Sequence, residues 1–159
     1  MQPTSYAIQS HEALSGSLCR LGHLGEALAI TERALELGSV NRTVRLRQLW
    51  LMALTADTGA DLDGWIQALE LDRSFPRPSD EHVRTLFVLG RWEDALMATE
   101  TALEDDPLDR AALCMSALLQ ARLGREDLAC IRLERLEALG GRGVEEFVTV
   151  GRVLLGRTA

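Results

Sequence analysis

Three histidines, three cysteines and a few carboxylate runs are the residues with which this chain could do chemistry. His11, His23 and His82 are spread along the sequence without a His-x-x-x-His partner, so no zinc site on one helix face is expected. Cys19, Cys114 and Cys130 are odd in number and lack Cys-x-x-Cys spacing, which argues against a disulfide framework or a zinc knuckle. Free thiols inside predicted helices are the expectation. Gly59-Ala60-Asp61-Leu62-Asp63-Gly64-Trp65-Ile66-Gln67-Ala68-Leu69-Glu70 matches a calcium-binding EF-hand loop at its third, fifth, sixth, eighth and twelfth places. Glycine, however, stands where the first-place aspartate must anchor the ion. A turn followed by a helix capped by Asp61 or Asp63 accounts for the segment better. Glu104-Asp105-Asp106 reads as a solvated helix end beside Pro107, with no opposed carboxylate for acid–base work. Gly140-Gly141-Arg142-Gly143 follows a predicted helix and lacks the strand that a phosphate loop requires. With no Gly-x-Ser-x-Gly, P-loop or dinucleotide fingerprint, neither catalysis nor a metal or other cofactor is expected.

The elements that carry these residues are helical. The chain has 159 residues, 47% of them hydrophobic but only 4% aromatic. Its apolar residues are mostly Leu, Ala and Val, a composition that favours helices over sheets. The length suits one domain with a real core. The formal charge is −7, with 24 acidic against 17 basic side chains, and every basic one is arginine. An acidic surface repels phosphate backbones and anionic lipid, so neither nucleic acid nor membrane is the expected partner. No apolar stretch approaches the ~20 residues needed to span a bilayer. Met1-Gln2-Pro3-Thr4 has no basic start or apolar h-region, so no signal peptide is expected, and a cytoplasmic location follows.

The strongest signal is an internal period. Gly22, Gly90 and Gly124 are separated by 68 and 34 residues, and Ala27, Ala95 and Ala129 repeat the same intervals. Glycine permits a tight turn between antiparallel helices, and the small alanine lets the second helix of a pair sit close on the first. Ala34 and Ala102 fall at the next small position, and Pro107 ends a unit. A second unit is out of register, with Gly59 at its turn, Gly64 at the small position and a long first helix over residues 41–57. Phe75-Pro76-Arg77-Pro78-Ser79-Asp80 then breaks the pattern, and a short helix is expected over residues 80–89. Val144, Phe147, Val148, Gly151, Leu154 and Leu155 recur at helical spacing and predict a terminal amphipathic helix that caps the last unit.

A period of 34 residues with this glycine and alanine placement resembles the tetratricopeptide repeat (TPR) family over nearly the whole chain. The resemblance implies an all-α solenoid of about four helix pairs (residues 8–40, 41–76, 77–108 and 109–141) and a capping helix over 143–156, nine helices in all. It also implies that the first helix of each pair lines a concave groove. The family's groove positions fall on Glu12, Gly16, Cys19 and Arg20, on Leu46, Leu49 and Ala53 with Trp50 beside them, on Arg84, Phe87 and Val88, and on Cys114, Leu118 and Arg122. Each of these can equally pack between repeats. Gripping a C-terminal carboxylate with lysines and asparagines is not expected, because there is no lysine and one asparagine, Asn41. An apolar groove suits a helical segment of another protein whose hydrophobic side needs cover.

A narrower likeness lies in the C-terminal quarter. Arg122-Leu123-Gly124, Arg132-Leu133-Glu134-Arg135-Leu136 and Phe147-Val148 resemble the end of the small TPR chaperones of bacterial type III secretion. That resemblance implies a cytoplasmic bacterial chaperone that shields an amphipathic helix of a small secretion subunit. The alternative is a scaffold or regulatory adaptor that assembles a larger complex. Without a partner, a homodimer formed through the apolar groove is one further alternative.

Overall fold

The computed structural model describes residues 5–55, 86, 89–141 and 144–156. Among these residues there are seven helices and no strand, so the described part of the chain is all-α. The helices are α1 (Ser5–Leu21), α2 (Leu24–Glu36), α3 (Arg42–Thr55), α4 (Trp92–Asp105), α5 (Arg110–Arg122), α6 (Glu126–Leu139) and α7 (Val144–Leu154). The calcium-like segment, His82 and the proline-rich break fall outside the described residues, as do the helix expected over 80–89 (apart from Leu86 and Leu89) and the second turn at Gly59.

The periodic glycines explain how the helices fold back on one another. Gly22 and Gly124 take φ of +80° and +78°, a region closed to most side chains. Each turn closes with the same pair of bonds. Gly22 N–H donates to Cys19 O and His23 N–H to Leu18 O, while Gly124 N–H donates to Ala121 O and Arg125 N–H to Gln120 O. This double closure satisfies carbonyls that the helix end would otherwise leave open. A Cβ on Gly124 would meet nothing within 4 Å, so its cost is conformational alone. Gly124→Ala is expected to lower stability by about 1–2 kcal/mol, read as a shift of the urea midpoint.

Small residues set the spacing within each hairpin. Ala27, Ala95 and Ala129 are fully buried. Thr31 and Thr99, which share the interval of Gly22 and Gly90, return their hydroxyls to Ala27 O and Ala95 O at 2.7 and 2.8 Å. Each helix packs on the next from α1 to α3 and from α4 to α7.

Two helices are enclosed on every side. Residues 112–121 of α5 are all buried, and so are Leu49, Trp50, Leu51, Met52 and Ala53 of α3. The sequence permits this because α5 carries no charge between Arg110 and Arg122, and α3 none after Arg47. The two helices touch, and their side chains join Leu86, Leu96, Leu103, Leu133, Leu136, Val144 and Phe147 in one core. Asn41 starts α3 by accepting from Thr43 N–H at 2.9 Å, and Asp109 starts α5 by accepting from Ala112 N–H at 3.1 Å.

α7 packs on more than the last hairpin. It packs on α6, the helix that precedes it, but also runs along α3 and reaches α1. The ends show that α7 runs in the direction of α3. Arg42 and Glu146 meet at the start of both helices, and Leu51 and Leu154 share a cluster towards their finish.

Candidate helix-binding face

The seat of α7 is built around Trp50. Its indole is fully buried, its ring centroid lies 4.9 Å from that of Phe147, and its Nε1–H donates to Phe147 O at 3.1 Å. The hydrogen bond satisfies the polar atom of an otherwise apolar side chain in the interior. Gly151, one turn on, makes room for the indole. A Cβ built there would stand 2.5 Å from Trp50 Cζ2, closer than any side chain tolerates. Further along, Val153 and Leu154 pack on Cys19 of α1, Ala27 of α2 and Leu51 of α3. The apolar stripe of α7 therefore lies in a cleft lined chiefly by α3 and α6, with α1 at its far end. At the edges Glu146 faces Arg42 at 4.0 Å, and Arg152 pairs with Glu137 of α6.

The expected groove residues divide by location. Leu46, Leu49, Trp50, Ala53, Cys114 and Leu118 are all buried and belong to the same core, so here they touch the protein's own side chains. Arg122 lies with its Cζ 5.3 Å from the ring centroid of Trp92, a cation–π contact that ties the end of α5 to the start of α4. Arg84, Phe87 and Val88 lie outside the described residues. In α1, the Glu12 carboxylate accepts from Ser39 Oγ at 2.6 Å and Asn41 Nδ2 at 3.1 Å, so it fastens the link between α2 and α3. Gly16 is overlain by the Arg47 guanidinium, whose Nη1 donates to Glu12 O at 2.9 Å. Arg20 is exposed beside them. The residues that define the seat and that repeat position did not single out as binding residues are Leu51, Phe147, Gly151 and Leu154.

Two of the three thiols, Cys19 and Cys114, are poor nucleophiles in the folded state. Burial pushes the Cys19 thiol up, against the pull of Arg47 and Arg20, and burial in the centre of α5 pushes Cys114 far up. Cys130 is only half-buried. Iodoacetamide at neutral pH should therefore modify Cys130 first, with Cys19 and Cys114 labelled only after unfolding, as peptide mass mapping would show. Among the described residues no three His, Cys, Asp or Glu side chains are grouped to hold a metal ion, and no helix is long and apolar enough to cross a membrane.

In comparisons with known proteins, no family model matches the chain, and neither a curated protein nor a solved structure matches it.

Proposed function

We propose that this chain is a TPR-type protein that holds an amphipathic helical segment of a small partner in the cleft that α7 occupies, lined by α3, α6 and α1. The closest functional analogy is a bacterial cytoplasmic chaperone that shields a type III secretion subunit. One observation carries the reading: the face already accommodates an amphipathic helix, α7, with Phe147 on Trp50 and Leu154 on the Cys19–Leu51 cluster. A face that buries an aromatic and several aliphatic side chains from one helix has the chemistry of helix-in-groove recognition. The 34-residue glycine interval and the glycine-closed helical hairpins support the repeat assignment. The role is one of binding, with no chemical step.

Purification of the tagged protein from its native host, followed by mass spectrometry, tests the function. The chaperone reading expects one small protein in a one-to-one complex, with a helical segment protected from proteolysis. Large stoichiometric assemblies would move the assignment to a scaffold or adaptor. A partner-free homodimer would show that the apolar surface is used for self-association.

A further inference from the structure

α7 fills the seat that the proposed function assigns to a partner, and Trp50 beneath it is fully buried. No second helix can reach that indole while α7 is in place. We infer that α7 is an intramolecular occupant of the face, which a partner helix of matching pattern must displace in order to bind. The inference rests on the helix-binding reading and adds to it a gate and the sequence character of the ligand.

The attachment of α7 suits an exchangeable element. Its join to α6 contains Gly140 and Gly141, with φ of +64° and +121°, so the chain changes direction there at residues with the widest backbone freedom. Its hold is largely apolar, through Val144, Phe147, Val148 and Leu154 against α3, α6 and α1, with the Trp50–Phe147 hydrogen bond and the pairs Arg42–Glu146 and Arg152–Glu137 added at the sides. Apolar contacts are non-directional and can be reproduced by another helix. Tethering by so short a join gives α7 a high effective concentration at the face, so a partner must outcompete it. The apparent affinity of the partner is then reduced by the fraction of molecules in which α7 is closed.

The occupant also acts as a template for its competitor. The seat requires a small residue opposite Trp50, because any Cβ at Gly151 collides with the indole. It requires an aromatic residue one turn earlier, at the place of Phe147, and an aliphatic one near the far end, at the place of Leu154. Arg42 favours a carboxylate in the first turn of the ligand, where Glu146 stands, and an acid there also suits the helix dipole. The partner segment is therefore an amphipathic helix that reads acidic, Phe, three residues, small, two residues, Leu, and runs in the direction of α3.

The test uses the full-length chain and a fluorescent synthetic peptide copying residues 142–156, with binding read by anisotropy. Gly151→Leu in the chain weakens the seating of α7 but leaves the seat itself intact, so it should tighten peptide binding about tenfold or more. The peptide carrying Gly151→Leu should bind neither protein, because the collision now lies in the ligand. If the leucine unfolds the chain, as circular dichroism would reveal, Gly151→Ala supplies the same collision with a single methyl group. Equal affinity for the native and substituted chains would overturn displacement while leaving helix binding at another surface intact. No peptide binding by either chain would overturn both the displacement and the helix-binding reading.

Discussion

Trp50→Ala is expected to destabilise the protein by about 3–5 kcal/mol, the range for removing a large aromatic side chain from a packed interior. The indole is fully buried, lies tilted against the Phe147 ring, donates to Phe147 O and covers Gly151, so its removal empties the space between α3 and α7. Collapse into that space is opposed by the backbone of α7, which Gly151 already holds close. Phe147→Ala should fall in the same range, because Phe147 is also fully buried. The two losses should not add. Each substitution removes the same ring contact, so the double variant should lose less than the sum by about 0.5–1.5 kcal/mol. Urea denaturation of the four proteins measures this coupling. Additive losses would mean that the rings act independently and that α7 is not seated through this pair.

Arg132→Leu is expected to cost about 1–3 kcal/mol through a polar bridge on the other side of the core. Arg132 of α6 pairs with Glu100 of α4, and its Nε donates to Ser116 Oγ of α5 at 3.2 Å. The Ser116 hydroxyl donates in turn to Glu100 at 2.7 Å, and Gln120 Nε2 reaches the same carboxylate at 3.4 Å. One side chain from each of three helices thus meets at Ser116, which is fully buried. The side chains of Arg132 and Glu100 retain 29% and 30% exposure, so water screens the pair and the loss is smaller than for a fully buried ion pair. Removal of arginine leaves the Glu100 carboxylate without its cation beside a buried hydroxyl. Glu100→Gln should cost less, since the amide still accepts from Ser116. A larger effect for Glu100→Gln than for Arg132→Leu in the same denaturation series would contradict this account of the bridge.

How much of this was legible in the sequence depends on the range of the interaction. The all-α class was legible because Leu and Ala dominate the apolar residues and recur at helical spacing. The turns at Gly22 and Gly124 were legible because their positive φ is a local demand that glycine meets. Burial of α5 could be read from its charge-free run between Arg110 and Arg122. The candidate face was less legible. Repeat position selects a side of each first helix, on which Leu46, Leu49 and Leu118 fall with Trp50 beside them, but it says nothing about what else covers that side. The covering contact joins Trp50 to Phe147 across 97 residues, and local periodicity carries no information at that distance. One signal was present: Gly151 lies on the apolar stripe of α7, where glycine costs a helix about 1 kcal/mol relative to alanine. Glycine at such a place points to close approach by another group, here the Trp50 indole.

The central claim is that α7 is a separable occupant of the cleft between α3, α6 and α1 and not an inseparable part of the core. Amide hydrogen exchange of the free, full-length protein tests it most directly, because exchange resolves partial openings from global unfolding. The account predicts that the amides of Val144–Leu154 are protected, yet exchange through an opening that leaves α5 (Arg110–Arg122) closed. Slow exchange of both helices with one common opening free energy would contradict it, and would make α7 a fixed wall of the core.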